Sequence, residues 1–267
     1  MKHDIVYILG DGSKWQNNEL RYSLRSLERY FEHGSVFIVG ECPNWLRNIT
    51  HINVSDKFPG SAEGKMKNAV RKIRAACEDE RISESFVLMN DDFYFLRPCP
   101  KIEPFSLGTI QEMLDSHRSK TGYYYNALRG TMHFLERQGI ENPVGYAAHY
   151  PIVHEKQKFL QMTNAIDWLG IAYSWRTIYG NLFRIGNIER EDTKVSSLSD
   201  FEEFLAREEH EDFLSSSGGV VLYPEFQDWI GKKFPSQSKY EKEIVIRRLK
   251  TAKDIWDSAA LKSSKTP

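Results

Sequence analysis

Cysteine is scarce in this chain. Cys42, Cys77 and Cys99 are the only three, odd in number and without the CxxC spacing of metal sites, so no disulfide framework is implied. A reducing, cytoplasmic compartment is the expectation that follows. Long apolar runs are missing as well: no stretch approaches the roughly 20 residues that span a bilayer, which argues against a membrane-spanning segment. The apolar stretch in MKHDIVYILGDG stops at Gly10, too short for the core of a signal peptide followed by its cleavage site. Nor is there an excess of one charge. The 36 Lys+Arg against 37 Asp+Glu leave a net charge of -1, which gives no global field to draw in nucleic acid or an anionic membrane and leaves room only for a local basic groove. Internal repeats and low-complexity segments are absent. What remains, 267 residues that are 40% hydrophobic, suits one large domain with a sizeable core.

The periodicities predict an α/β protein. DIVYILGDGS reads as a short buried strand, Ile5 to Leu9, ending in a loop where two glycines flank Asp11. Leu20, Leu24, Leu27 and Phe31 then recur at spacings of 4, 3 and 4, one face of an amphipathic helix that Asn17 or Asn18 can cap. SVFIVG is a second strand and CPNWL a turn. GKMKNAVRKIRAACED is a second helix, with Met66, Val70, Ile73 and Cys77 on one stripe, and SFVLMNDD is the next strand. Strands alternating with helices indicate a mostly parallel central sheet flanked by helices. Beyond Pro98 the pattern is helix-rich. Residues 189–217 are charged and serine-rich, a surface region with one short helix from Phe201 to Glu208. GGVVLYPEF offers a last strand and turn, and YEKEIVIRRLKTAKDIWDSAAL an amphipathic terminal helix bearing Ile244, Ile246, Leu249, Ile255 and Trp256, before a short tail.

The third strand, SFVLM, ends in Asn90, Asp91 and Asp92. In an open α/β sheet ligands bind at the carboxyl ends of the strands, so these acids share an edge with the Asp11 loop. Two carboxylates there are costly unless a cation meets them. A divalent ion of the Mg²⁺ or Mn²⁺ type, carrying a diphosphate, would do so. The bland alternative is a turn or a helix cap. Arg21 and Arg25 lie four apart on one helix face, which suggests either a phosphate or a buried acidic partner; a solvated face or a pair with Glu28 is the plainer reading.

An apolar strand ending in paired acids, preceded by a helix carrying Lys65 and Asn68, resembles the nucleotide-sugar-binding half of GT-A type glycosyltransferases. More narrowly, DGS, NNELRYSLRSLERY, VFIVGECPNWL and LMNDDFYFL, in that order, are similar to the Stealth family of sugar-phosphate transferases, over about residues 4 to 97. Two departures stand out: Leu-Gly precedes Asp11 where the family has an aromatic residue or Val, and Asn90 takes the place of the first acid of a DxD motif.

The resemblance implies a GT-A-like fold and a nucleotide-sugar donor, with UDP-sugars foremost. It divides the chain into a donor half (1–100), an acceptor-side and catalytic half (101–235), and a terminal helix with its tail (236–267). Asp91 and Asp92 would hold Mn²⁺ or Mg²⁺. Asp11 and Lys65 or Asn68 would bind the nucleotide, with Arg21 or Glu19 facing the donor. A late His, for which His149 stands first and His154 competes, would ligate the ion or act as an acid or base. Arg176 would neutralise a departing phosphate, and Asp167 could be the base of an inverting transfer. The acceptor is left open among a glycan, a polysaccharide precursor and a modified nucleobase. Sugar transfer releasing a nucleoside diphosphate is the leading reading, and Stealth-type transfer of a sugar 1-phosphate, releasing a monophosphate, its alternative. A non-catalytic sugar-binding protein is the third. A Rossmann-type methyltransferase is disfavoured, because only Glu41 follows the second strand.

Overall fold

Apolar runs rich in β-branched and aromatic side chains form the centre of the molecule. The computed structural model describes residues 2–117, 119–168 and 173–242. In chain order its first half contains β1 (Asp4–Leu9), α1 (Asn18–Tyr30), β2 (Val36–Gly40), β3 (Thr50–Ile52), α2 (Ala62–Glu78), β4 (Ser85–Met89), β5 (Phe93–Phe95), β6 (Phe105–Ser106), α3 (Ile110–Ser116) and α4 (Tyr123–Arg137). The second half adds β7 (Ile152–Glu155), α5 (Lys156–Ala165), α6 (Trp175–Leu182), β8 (Ile188–Glu189), β9 (Lys194–Val195), α7 (Leu198–Arg207), β10 (Phe213–Ser216) and α8 (Pro224–Lys233).

The main sheet has the order β3-β2-β1-β4-β7. Its first four strands run parallel, and β7 closes the edge antiparallel to β4, with Leu88 opposite Ile152. Alternate side chains of each strand leave by opposite faces, and both faces are covered. Val6, Phe37, Val39, Phe86 and Leu88 pack with Val70, Ile73 and Cys77 of α2. Ile5, Tyr7, Leu9, Ile38, Val87 and Met89 pack with Leu20, Leu24 and Leu27 of α1. Burial of each such leucine contributes about 1.5–3 kcal/mol. The chain winds from β1 out to β3, then returns across β1 to lay down β4, so the order in which strands are added reverses between β1 and β4. The carboxyl ends of these two strands, where Asp11 and Asp91 lie, therefore open onto the crevice at the switch point.

A second, three-stranded sheet starts where the acids end. Phe93 N–H donates to the Asn90 carbonyl at 3.4 Å, a tight turn that feeds β5, which pairs antiparallel with β10, itself parallel to β9. Phe93 and Phe95 face the α1 cluster. Tyr94 and Leu96 face a separate cluster built on Phe201, Phe226 and Ile230 of α7 and α8.

Some local expectations give way to tertiary context. Neither Asn17 nor Asn18 caps α1: Asn17 sits at the N-cap with φ 59° and makes no side-chain cap bond, while Asn18 Nδ2 donates to the Trp15 carbonyl. The stretch after Gly219 forms a 3₁₀ turn, Val220–Leu222, and then α8, in place of a strand. Pro224 opens that helix, where its missing N–H costs nothing, and Phe226 and Ile230, four apart, bury together. The described part of the terminal segment, 236–242, is a non-helical strap; the helix expected over 240–261 lies outside the described residues beyond Lys242.

His154, expected at a helix start, is instead inside β7 opposite Phe86. Phe159, Trp175 and Tyr179 surround its ring, and both ring nitrogens are buried without a partner. Burial, aided by the Arg176 charge, drives its pKa well below the usual imidazole value. A histidine kept neutral in the fold but free to protonate when unfolded withdraws stability as the pH falls below about 6.5. Thermal melts from pH 7 to pH 5 should therefore show a smaller loss of Tm in His154→Phe than in the parent; an equal loss in both would remove His154 from the account of acid sensitivity.

Candidate active site

The Asp91–Asp92 turn is fixed from several sides. The Asp92 carbonyl accepts the Ser216 N–H at 3.1 Å. The Phe93 carbonyl accepts Ser23 Oγ at 2.5 Å, and Ser23 in turn contacts the Tyr7 hydroxyl at 2.9 Å. α1 and β10 thus hold the backbone, and Asp91 and Asp92 lie half-buried at the end of β4. Glu19, buried on the first turn of α1, accepts a hydrogen bond from Ser13 Oγ at 2.9 Å. Burial, with the charge of Glu19 adding to it, raises the pKa of Asp91. Asp92 is raised by burial and by Asp91, with Lys194 opposing, and its Oδ1 is buried without a partner. These are acids that repel one another in a site where water cannot fully solvate them.

Close to these acids, against the ring of Phe93, lies His149, on the loop leading into β7. The Asp192 carboxylate accepts its Nδ1–H at 2.7 Å and its backbone N–H at 3.0 Å. An ionised carboxylate only accepts, so the proton lies on Nδ1 and Nε2 keeps a lone pair. That lone pair faces Lys194 Nζ at 3.1 Å. Burial works to raise the pKa of Asp192, but the hydrogen bonds it accepts from the His149 ring and from the backbone N–H groups of His149 and Thr193 outweigh it and the net shift is downward. The imidazole also meets the ring of Phe93 edge-on, centroids 6.5 Å apart, directly after the acids in the chain. Tyr124 of α4 keeps 43% of its surface open, yet crowding around its hydroxyl and then the charge of Asp192 push its pKa up to about 12, which places it within electrostatic reach of that residue.

On the β1–β2 side Lys72 is buried, donates to the Leu9 carbonyl at 2.8 Å and pairs with Asp56 at 2.5 Å. Gly40 is required here: its φ is +116°, and a Cβ would lie 2.1 Å from the Leu9 carbonyl oxygen.

The other expected residues are placed as follows. Asp11 is at the exposed tip of the first loop, and Lys65 is exposed on α2. The Asn68 amide is turned to the loop beside it, accepting from the N–H groups of Lys57 and Phe58 and donating to the Phe58 carbonyl. Arg21 and Arg25 both grip Glu241, at 2.5 Å and 2.7 Å, with Trp45 stacked 4.2 Å from the Arg21 guanidinium. Of the two partners that their spacing suggests, this geometry supplies the buried acid. Arg176 is half-buried, donates to the Tyr150 carbonyl and has its pKa lowered to about 10 by the covering of its guanidinium, against the pull of Asp192. Asp167 is exposed just past α5.

Three participants escape sequence reading. Asp192 and Lys194 hide in a charged stretch that looks like plain surface. Lys72 carries one usable signal, its place four residues after Asn68 and four before Ala76 on the buried side of α2. As for a metal, no group of three or more His, Cys, Asp or Glu is already gathered round one point among the described residues. The donor set nonetheless suits a hard divalent ion: two raised carboxylates, one with an unpartnered oxygen, and an imidazole whose far nitrogen is held by a carboxylate.

No family model matches the sequence, and no curated protein is significantly similar to it. Solved structures match in shape. The galactosyltransferase LgtC, in complex with donor and acceptor sugar analogs, superposes with a TM-score of 0.49 and 11% identity over 88% of this chain and 98% of that one. An active-site mutant of LgtC superposes with a TM-score of 0.51, again at 11% identity and covering 88% and 98% of the two chains. At that identity the likeness is one of fold. The chain has the GT-A-like architecture, a mostly parallel central sheet flanked by helices. The matches lend no support to a relation with the Stealth family.

Proposed function

We propose that this chain is a glycosyltransferase that uses a nucleotide sugar, a UDP-sugar first among them, with Mn²⁺ or Mg²⁺ held by Asp91, Asp92 and His149. The observation that carries this reading is the pair of raised carboxylates at the switch point, Asp92 Oδ1 unpartnered, facing an imidazole aligned by Asp192. The fold shared with LgtC supports it. When bound, the ion offsets the charge that gathers on the departing nucleoside diphosphate.

The chain's own residues prepare that step. Asp192 fixes the tautomer of His149. Glu19 positions the first loop through Ser13, and Asp11 at its tip faces the nucleoside. Lys65, exposed on α2, is the candidate for a phosphate contact, since the amide of Asn68 is already engaged. Arg176 supports the backbone just after His149 through the Tyr150 carbonyl, a positioning role. In the transfer the acceptor hydroxyl oxygen bonds to sugar C1 as the bond from C1 to the diphosphate oxygen breaks, and the hydroxyl proton passes to a carboxylate, for which Asp167 is the candidate. Tyr124, exposed and close to Asp192, offers an aromatic face to a glycan or polysaccharide-precursor acceptor. No helix among the described residues is long and apolar enough to cross a membrane.

The test is mass spectrometry of purified protein with a panel of nucleotide sugars, with and without Mn²⁺. Metal-dependent release of nucleoside diphosphate is the expected result. Monophosphate release would replace this reading with transfer of a sugar 1-phosphate, in which the acceptor attacks the sugar-proximal phosphorus. The absence of both metal-dependent donor binding and release would leave sugar binding without catalysis.

A further inference from the structure

Three consecutive residues embrace His149. Asp192 takes its Nδ1–H and backbone N–H, Thr193 Oγ1 donates to its carbonyl at 3.2 Å, and Lys194 Nζ meets its Nε2 at 3.1 Å. The clasp is anchored in the second sheet, where Lys194 pairs in register with Ser215, and Ser215 with Phe93, the residue after Asp92. This connection gives Lys194 a defined place beside both halves of the site. Its side chain is nevertheless exposed, on a flexible four-carbon stem, and so is free to swing.

The imidazole has one in-plane lone pair left, because Nδ1 carries the proton that Asp192 accepts. One lone pair serves one partner. An ion ligated by Nε2 and an ammonium hydrogen-bonded to Nε2 therefore exclude each other, and any ion that takes His149 must first expel Lys194. We infer that Lys194 is a built-in counter-ion, which occupies the ligand position of His149 until a diphosphate arrives to receive its charge. This inference rests on the metal-dependent, nucleotide-sugar reading of the site. Its consequence is order in loading. A divalent cation entering alone must displace an ammonium and remain near it, two like charges in a crevice of low dielectric. With a diphosphate present the displaced ammonium has an anion to meet. The ion and the nucleoside diphosphate should then each tighten the binding of the other by the same factor, as linkage requires. A site arranged in this way loads ion and donor together.

The test measures Mn²⁺ binding directly, from the electron paramagnetic resonance signal of the free aquo-ion, in the presence and absence of UDP. The proteins are the parent chain, Lys194→Met, Lys194→Arg and Asp92→Asn. Lys194→Met keeps the apolar stem and removes the donor and the charge. It is expected to bind Mn²⁺ alone roughly tenfold more tightly than the parent, about 1.4 kcal/mol, and to show less tightening by UDP. Lys194→Arg keeps the charge and should retain the coupling. Unchanged or weaker Mn²⁺ binding by Lys194→Met, with the parent binding the ion in a manner that Asp92→Asn abolishes, would overturn the inference and leave the metal site standing. No Mn²⁺ binding by the parent even with UDP would overturn the metal-dependent reading, and this inference with it.

Discussion

Asp92→Ala is expected to lower kcat/KM for nucleotide-sugar turnover by roughly a thousandfold, about 4 kcal/mol of transition-state stabilisation. The reasoning starts from cost. Asp91, Asp92 and Glu19 crowd a turn that burial makes unfavourable for charge, and one oxygen of Asp92 has no partner. A fold gains nothing in stability from such an arrangement. The isosteric Asp92→Asn should therefore raise Tm in the absence of divalent ions, by relieving its repulsion with Asp91, while still losing turnover. Steady-state kinetics with a saturating divalent ion, set beside melts of the metal-free proteins, checks both halves. Wild-type turnover in Asp92→Ala would sink the assignment, and a lower Tm in Asp92→Asn would show that the carboxylate is structural.

Glu241→Ala should be the most destabilising of the changes considered, by about 3–5 kcal/mol, because it strands two guanidiniums that are themselves mostly buried. The carboxylate is fully covered. Burial works to raise its pKa, and the hydrogen bonds from Arg25, the Ser238 N–H and Arg21 outweigh this and hold it down. The strap around it is also tied by backbone, with Arg47 N–H on the Tyr240 carbonyl and Lys242 N–H on the Trp45 carbonyl. Denaturant unfolding measures the loss. Assayed well below its Tm, the variant should keep the donor affinity of the parent, because neither Arg21 nor Arg25 is committed to the crevice. Loss of donor affinity with little loss of stability would instead return Arg21 to the donor site.

The sequence stretches that foretold structure correctly are those whose information is local. Phe86 to Met89 announce a strand buried on both faces by composition alone, and the acids after it announce the sheet edge. The leucine stripe of α1 is equally legible. The arginines of the same helix show the limit. Their spacing predicts an anionic partner, yet the choice between a phosphate and a carboxylate depends on Glu241, more than two hundred residues away, which no local pattern can nominate. His149 and His154 differ for a similar reason: five residues separate a histidine poised at the crevice from one sealed among aromatic rings, and only the pairing of β7 with β4 tells them apart. Asp192 is invisible for the opposite reason, since EREDTK has charges at nearly every position and nothing marks the one that turns inward. On α2, Lys65 and Asn68 draw notice through their spacing, whereas Lys72, on the buried side, makes the contacts with Leu9 and Asp56.

The turn from Asn90 to Phe93 joins two sheets with no slack, and this restricts how such a protein can diverge. β5 begins at the residue after Asp92 and sends Phe93 and Phe95 to one cluster and Tyr94 to the other. One residue inserted or deleted between Met89 and Phe93 would exchange those faces, sending the phenylalanines toward α8 and the tyrosine toward α1. Point substitutions can drift through either cluster. The spacing between the strand and the aromatic triplet cannot drift, and in distant homologues that spacing should outlast the identity of nearly every residue around it.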